Sequence, residues 1–261
     1  MDNLFRRIWG RIKRTAEKFY SDSHFSVYYA ILRVADELGG RIGLRRLSRN
    51  AHLKKDSWIM EFLSEELAPV IENYKNSTEQ GIYQENAPIW VCWWTGIDTA
   101  PKLVQQCVES IFRNAGDHPV CFITKDNYSQ YLEIPEYLLT KLESKAICIA
   151  NFTDYLRFSL LEKHGGLWLD ATIFCTTSIP RDYFSIPLFS CKGGTDTGAF
   201  ISKYRWTSFC FGGFKGHPLF KFFRDAFELY WHEHDVAIDY LFVDYVINLG
   251  YENIIAIKQN L

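Results

Sequence analysis

The stretch "FTDYLRFSLLEKHGGLWLDATIF", residues 152–174, predicts a helix that passes directly into a strand. Residues 153–164 have the length and composition of a helix. Gly165 is predicted to end it, because glycine readily adopts the positive φ of a helix cap. The segment "LWLDATIF" that follows, residues 167–174, predicts a strand. Asp170 is then expected toward the carboxyl end of that strand, where the ligands of open α/β sheets bind.

Beyond residue 80 the chain alternates in the same way between apolar strand-like runs and amphipathic helices. The predicted strands or extended segments are "IWVCWW", "VCFIT", "AICIA", "PLFSCK" and "WTSFCFGGF", which begin at residues 89, 120, 146, 187 and 206. Further helices are predicted for residues 101–116, 135–145 and 217–234, and the segment 237–250 closes the series. This alternation predicts an α/β domain with a mainly parallel sheet.

The N-terminal part of the chain has a different pattern. Residues 24–75 contain two helical patterns joined by a basic connector, "RIGLRRLSRNAHLKK", at residues 41–55. The polar, turn-rich segment 75–88 indicates a boundary. We therefore predict a helical arm over residues 1–80 and the α/β domain over residues 81–261.

The first nineteen residues, "MDNLFRRIWGRIKRTAEKF", predict a basic amphipathic helix. Apolar residues recur at helical spacing and cations fill the rest of the turn: Leu4, Phe5, Ile8, Trp9 and Ile12, with Arg6, Arg7, Arg11, Lys13 and Arg14. Residues 1–60 carry thirteen Lys and Arg against six Asp and Glu, whereas the remainder carries sixteen against twenty-five. The pattern fits a helix on an anionic membrane surface and equally a helix packed on the domain. No nucleic-acid motif accompanies it, so nucleic acid is not a predicted partner.

Composition and cysteine spacing narrow the cellular location. No apolar run approaches the roughly 20 residues of a membrane-spanning helix, and the N-terminus lacks the apolar core of a secretory signal. The seven cysteines lie far apart without a C-x-x-C pair: Cys92, Cys107, Cys121, Cys148, Cys175, Cys191 and Cys210. This scattering predicts free thiols in a reducing compartment and favours the cytosol.

Three charged residues are predicted to lie near one crevice. Asp154 and Arg157 are three apart on a predicted helix and face the same side, and Asp170 lies toward the carboxyl end of the strand that follows. Carboxylates accept from sugar hydroxyls and hold divalent cations, and arginine pairs with phosphate. The set therefore fits a charged, hydroxyl-rich ligand. The alternative is a surface ion pair beside an aspartate that caps a turn.

Three segments resemble the capsular polysaccharide synthesis protein family, which is related to the glycosyltransferases that initiate yeast outer chains and to clostridial glucosylating toxins. "APIWVCWWTG" at residues 87–96 resembles the opening strand. Residues 152–174 resemble the motif S/T-D-x-x-R…x-G-G-x-Y/W-x-D-x-D, and "AIDYLFVDYVI" at residues 237–247 resembles a late block. The likeness spans about residues 87–250. It implies a GT-A, Rossmann-like domain that binds a nucleotide sugar and retaining transfer from a UDP-sugar.

The resemblance also implies donor-binding roles for five residues. Trp94 matches the aromatic residue on which the uracil stacks. Asp154 and Arg157 match residues that hold the donor sugar. Trp168 matches an aromatic position before the acidic motif, and Asp170 matches the first acid of D-x-D, which touches ribose and metal.

Thr172 occupies the place of the second acid of D-x-D, a principal ligand of Mn²⁺ or Mg²⁺ in the wider family. The resemblance implies one of these cations as cofactor, with Asp170 as ligand and one negative ligand fewer. Three ways to compensate for the missing negative ligand remain open. The diphosphate and water complete the site, or Asp239, Asp244 or a residue beyond Leu261 contributes, or arginine and lysine replace the metal.

On the acceptor side the sequence offers only weak candidates. Gly213 and His217 lie in "FCFGGFKGHP", where the related proteins have a strand that feeds the acceptor side. The alternatives are a bulge or turn for the glycine and a helix cap for the histidine. Asp244 and, more weakly, Asp196 are further candidates.

Together these features predict a cytosolic enzyme, peripheral on the inner face of the cell membrane. It would transfer galactose or glucose with retention from a UDP-sugar to a lipid-linked oligosaccharide of a bacterial capsule or exopolysaccharide. Same-face attack, with the diphosphate as proton acceptor, is the hypothesis for retention. The alternatives are a non-catalytic sugar-nucleotide-binding scaffold and a cell-surface phosphosugar transferase that releases UMP.

Overall fold

The computed structural model describes residues 2–195 and 200–261; of the first eleven residues, only Arg6, Trp9 and Gly10 are described beyond the backbone. Contacts between Cα atoms divide the chain into two compact units, Met1–Glu65 and Glu66–Leu261. Residues that the sequence interpretation used and that lie outside the described part are Asp196 and the side chains of Leu4, Phe5, Arg7, Ile8 and Arg11.

The first unit is helical, with α1 (Asp2–Ser23), α2 (Val27–Arg41) and α3 (Arg45–Glu66). Arg33 of α2 donates to the buried Asp22 at 3.2 Å. The helices predicted here are confirmed. The predicted basic connector is wrong for most of its length, because residues 45–55 already belong to α3. Arginine, leucine and lysine, which dominate this segment, favour a helix.

The second unit contains a sheet of five strands in the described part of the chain: β1 (Ile89–Cys92), β2 (Val120–Ile123), β3 (Gly166–Leu169), β4 (Leu188–Ser190) and β5 (Cys210–Gly213). Their order is β2-β1-β3-β5-β4. β1 pairs in parallel with β2 and β3, whereas β5 pairs antiparallel with β3 and β4. Four of these strands therefore run the same way and β5 is reversed. The α/β prediction is confirmed as a mixed, mostly parallel sheet.

Helices surround this sheet: α4 (Ala68–Tyr74), α5 (Lys102–Asn114), α6 (Glu136–Glu143), α7 (Ile149–His164), α8 (Pro218–Glu233), α9 (Phe242–Asn253) and α10 (Ile255–Asn260). The extended segment predicted at residues 146–150 is wrong, because Ile149 and Ala150 begin α7 and the Cys148 side chain caps it. Within the described residues, no helix has both the length and the apolarity required to cross a membrane.

The turn from α7 to β3 explains the double glycine. Gly165 caps α7 with φ 68°, and Gly166 follows with φ 101°. A Cβ at Gly166 would lie 2.1 Å from the carbonyl oxygen of Pro88, so no larger residue fits there. β3 ends at Leu169, which makes Asp170 the first residue beyond the strand and shortens the predicted strand.

Apolar side chains cover both faces of the sheet. Val108 and Ile111 of α5 share a buried cluster with Ile89. On the other face Phe158 of α7 stacks on Phe223 of α8, with ring centroids 4.1 Å apart. Trp90, Trp206 and Trp231 are buried in this core, and Trp93 is half-buried against it.

Candidate functional site

The carboxyl ends of three parallel strands border a cavity of about 1020 Å³. Residues 93–95 follow β1, Lys125 follows β2 closely, and residues 170–172 follow β3; all of them line the cavity. The segment between α6 and α7 and the first turn of α7 complete the wall. Small-ligand pockets measure roughly 300–1,000 Å³. A cavity of this class therefore lies at the sheet edge where ligands of open α/β sheets bind.

A buried arginine joins two acids behind this wall. Arg157 Nη1 donates to Asp154 Oδ1 at 2.5 Å, and Nη2 donates to Asp170 Oδ1 at 3.0 Å. Trp168 Nε1 donates to the same oxygen at 2.6 Å. Asp154 and Arg157 are buried, whereas the Asp170 side chain is 35% exposed at the cavity. The alternative of a surface ion pair is therefore wrong, and the pair holds Asp170 in place.

Burial dominates the electrostatics of this cluster. It raises the pKa of Asp154 from 3.8 to about 6 against the opposing effect of Arg157, and the carboxylates of Asp170 and Asp244 raise it further. Burial also raises the pKa of Asp244, which accepts from Trp206 Nε1 at 2.8 Å. Three acids therefore act on one guanidinium, whose Nε has no hydrogen-bond partner among the described residues. The structure thus brings Asp244, a weak candidate from sequence, into the cluster.

The raised pKa of Asp154 predicts a pH dependence of stability. Between pH 3.8 and about pH 6, the carboxyl group of Asp154 is protonated in the folded state and ionised in the unfolded chain. Rising pH should therefore lower the unfolding free energy of the wild type relative to Asp154→Asn, by on the order of 3 kcal/mol across this window. Urea unfolding of both proteins below and above the window measures the difference. A difference that does not change with pH would contradict the shift.

Aromatic rings form the second feature of the cavity. Trp94 is half-buried in its wall, with its ring centroid 5.1 Å from that of Phe152 and 5.5 Å from that of Tyr128. Packing against two rings holds the indole in one orientation. Tyr128 also lines the cavity, and the sequence interpretation did not select it. The sequence feature that could have identified Tyr128 is its position shortly after strand β2.

The cavity also has cationic residues that sequence reasoning missed. Lys125 and Lys145 line it, together with Ile149 and Ala150 of the first turn of α7. Helix N-termini carry partial positive charge and attract anions. Lys125 could have been found from its place after β2. Lys145 could not, because it adopts a left-handed φ of 64° in an irregular loop.

Two predicted acceptor-side residues lie away from the cavity. Gly213 pairs with Gly166 at the amino end of β3, roughly 13 Å of strand from Asp170. His217 is fully buried, its Nδ1 accepts from the Leu219 amide at 3.2 Å, and burial lowers its pKa to about 4. Neither residue lines the cavity. The reason is that β5 runs antiparallel to β3. It begins at the end of the sheet that borders the cavity and ends at the opposite end.

The donor set at the cavity is sparse for a metal ion. Arg157 and Trp168 both donate to Oδ1 of Asp170, which leaves Oδ2 for a ligand, and the exposed Thr172 follows two residues later. Asp239 accepts from a backbone amide before α9, and Asp244 is bonded to an indole. The described residues contain no group of three or more His, Cys, Asp or Glu placed to hold a metal. Asp170 Oδ2 could therefore supply one oxygen ligand to a divalent cation, and the other ligands would have to come from a bound substrate or water.

A mixed α/β sheet with an aromatic, lysine-bearing cavity at the carboxyl ends of its parallel strands defines the class as an α/β protein with a candidate ligand site there. The chain belongs to the capsular polysaccharide synthesis protein family, whose model matches residues 42–261. Membership confirms the resemblance and indicates a role in capsule biosynthesis. No curated protein and no solved structure matches the chain significantly. The GT-A assignment therefore stays a prediction.

Proposed function

We propose that the protein is a retaining glycosyltransferase that moves galactose or glucose from a UDP-sugar to a lipid-linked acceptor in capsule repeat-unit synthesis. The observation that carries the proposal is one cavity wall with Trp94, Trp168 and Asp170, and Arg157 directly behind it. An aromatic ring, a carboxylate and cations match the base, the hydroxyls and the phosphates of a nucleotide sugar. The family's role in capsular polysaccharide synthesis supports the same ligand class.

In this proposal each part of the wall contacts one part of the donor. Trp94 stacks on the uracil, and Asp170 accepts from the ribose. Arg157 and Asp154 act on the donor indirectly by orienting Asp170, since Arg157 bonds to both acids. Thr172 offers a neutral hydroxyl where a second acid would stand.

The leaving diphosphate requires positive charge. Breaking the anomeric C–O bond places negative charge on UDP, which preorganised cations and dipoles stabilise. Lys125, Lys145 and the first turn of α7 lie at the cavity wall and meet this need. A divalent cation bound with Asp170 would add Lewis-acid stabilisation of the diphosphate. Because Thr172 brings no charge, the lysines carry a larger share of this stabilisation.

Retention by same-face attack needs no enzyme nucleophile. The acceptor oxygen forms a bond to the anomeric carbon as the bond to UDP breaks, and its proton passes to a diphosphate oxygen. Burial raises the pKa of the Cys92 thiol, which lines the cavity, to about 12, so this thiol stays protonated. Glu143 is an exposed carboxylate at the same cavity. An isolated glycosyl adduct on Glu143 or Asp170 would contradict same-face attack.

Release of UDP from UDP-galactose and UDP-glucose, with and without Mn²⁺, tests the proposal. Slow UDP release from one of these donors, faster with a lipid-linked acceptor, is expected. Tight UDP binding without turnover in the presence of acceptor would indicate a binding scaffold. Release of UMP would indicate a phosphosugar transferase. Either result would contradict the proposal.

Replacing Trp94 with alanine should weaken UDP binding. Stacking of a base on an aromatic ring contributes about 1–3 kcal/mol, so the dissociation constant should rise by roughly 5- to 150-fold. Calorimetric titration with UDP measures the change. Titration with pyrophosphate, which has no base, is the matched control and should be unaffected. Equal weakening for both ligands would mean that Trp94 shapes the cavity and does not stack on the base.

We also propose that α1 lies on an anionic membrane, where a lipid-borne acceptor resides. Trp9 and Ile12 are 62% and 55% exposed, and Lys13 and Arg14 are exposed beside them. Apolar and cationic side chains on one helix are typical of an interfacial helix. The inner face of the cell membrane offers the anionic headgroups that this surface requires.

A further inference from the structure

The turn between α2 and α3 exposes apolar side chains. Ile42 is 67% exposed, and Leu44 and Leu47 are each 51% exposed. In the segment 41–49 every residue except Ser48 is exposed. Gly43, with φ 79°, makes the reversal between the helices. Three large apolar side chains thus protrude within six consecutive residues.

The same turn has positive charge without matching acids. Arg41 donates to Glu37 at 2.6 Å, so its charge is matched within α2. Arg45, Arg46 and Arg49 have no carboxylate partner among the residues that the structure describes, and all three are exposed. The turn therefore carries three surplus positive charges next to three exposed apolar side chains.

The position of two of these arginines disfavours a purely structural role. Arg45 and Arg46 occupy the first turn of α3, where the helix dipole favours acids and disfavours cations. Their place is unfavourable for the helix itself. An external anion would reverse the sign of that interaction.

We infer that the α2–α3 turn, residues 41–49, is a second membrane-contacting surface. Ile42 and Leu44 enter the boundary between headgroups and acyl chains, and the three unmatched arginines contact anionic headgroups. The inference extends the proposed membrane association of α1 and does not depend on the donor chemistry. Its observations concern a different segment from α1, so each can fail alone.

The test compares binding of the full chain to vesicles of equal parts phosphatidylglycerol and phosphatidylcholine. One variant combines Ile42→Ser with Leu44→Ser, and another combines Arg45→Gln with Arg46→Gln. The matched control combines Leu103→Ser with Arg113→Gln on α5, where Leu103 is 70% exposed and Arg113 is exposed. Sedimentation measures the bound fraction, and circular dichroism checks that each variant keeps its helices.

Each turn variant should weaken partition by about tenfold or more, because each arginine near the surface contributes roughly fivefold and lost apolar burial acts similarly. The control should bind like the wild type, and UDP release without vesicles should be unchanged in all variants. Wild-type binding by both turn variants would overturn the inference, and so would an equal loss in the control. Binding to heparin, a polyanion without a membrane, is measured in parallel. If the arginine variant loses heparin binding but keeps vesicle binding, the inference is overturned, because the turn then binds a polyanion other than a membrane.

A truncation of residues 1–20 separates this inference from the proposal for α1. The truncated chain should bind vesicles more weakly than the full chain, and adding the turn substitutions should remove the remaining binding. If the truncation alone removes all binding and the turn variants of the full chain bind normally, the turn is not a membrane contact. If the truncation has no effect while the turn variants lose binding, the proposal for α1 fails and the turn remains.

Discussion

Replacing Asp170 with asparagine should lower UDP release by about 100-fold or more. Asparagine has the same shape, and its carbonyl oxygen can still accept the bonds from Arg157 and Trp168. The substitution removes the negative charge and turns the second carboxylate oxygen into an amide group. A donor or cation bound by that oxygen therefore loses its contact while the cavity keeps its walls. Steady-state UDP release with a saturating donor measures the loss.

The matched control for this substitution is Asp182→Asn. Asp182 is an exposed acid on the same unit and does not line the cavity. It should leave UDP release unchanged. The unfolding curve of Asp182→Asn should match the wild type. Asp170→Asn keeps its hydrogen bonds but loses the charge that faces the buried Arg157, so it should unfold at slightly lower urea than the wild type. Retention of more than about a tenth of the activity by Asp170→Asn would contradict the role of this carboxylate.

Replacing Arg157 with methionine should lower the unfolding free energy by about 3–5 kcal/mol, because it leaves the carboxyl group of Asp154 buried without its partner. The same substitution releases Asp170 from its orientation and should also abolish UDP release. Urea unfolding followed by tryptophan fluorescence measures the first effect. An unfolding free energy close to that of the wild type would contradict the buried pair.

Two further variants separate stability from activity. Arg181→Met removes a pair with Asp117 whose side chains are 83% and 78% exposed, so its effect should stay below about 1 kcal/mol. Combining Asp154→Leu with Arg157→Met replaces the buried pair by apolar side chains and should restore most of the lost stability. UDP release should stay lost in this double variant. Recovery of activity would mean that the pair serves folding alone.

The candidate site shows where sequence reasoning succeeds. Asp154 and Arg157 were predicted to face the same side from their helical spacing, and the structure joins them by a hydrogen bond. Asp170 was predicted toward the carboxyl end of its strand, and it directly follows β3. These relations involve residues a few positions apart, or neighbouring elements in the chain, where local geometry decides the outcome.

Other parts of the site depend on contacts between distant segments. Lys145 reaches the cavity through an irregular loop that has no periodic pattern. Asp244 joins the cluster because α9 packs near α7, and Trp206 meets it from a third segment. The basic segment 41–55 was predicted to be a connector, but most of it belongs to α3. Basic charge alone does not distinguish a helix from a loop.

The sequence by itself determined the α/β class, the helix–glycine–strand unit and the place of Asp170, because these follow from periodicity and from the positive φ that only glycine adopts readily. Only the tertiary structure decided that Asp154 and Arg157 form a buried pair, since burial depends on what packs over a helix face. It also decided that Gly213 and His217 lie at the end of the sheet opposite the cavity. The direction of β5 depends on its pairing with β3, which is distant in sequence. An apolar strand has the same sequence pattern whether it pairs parallel or antiparallel.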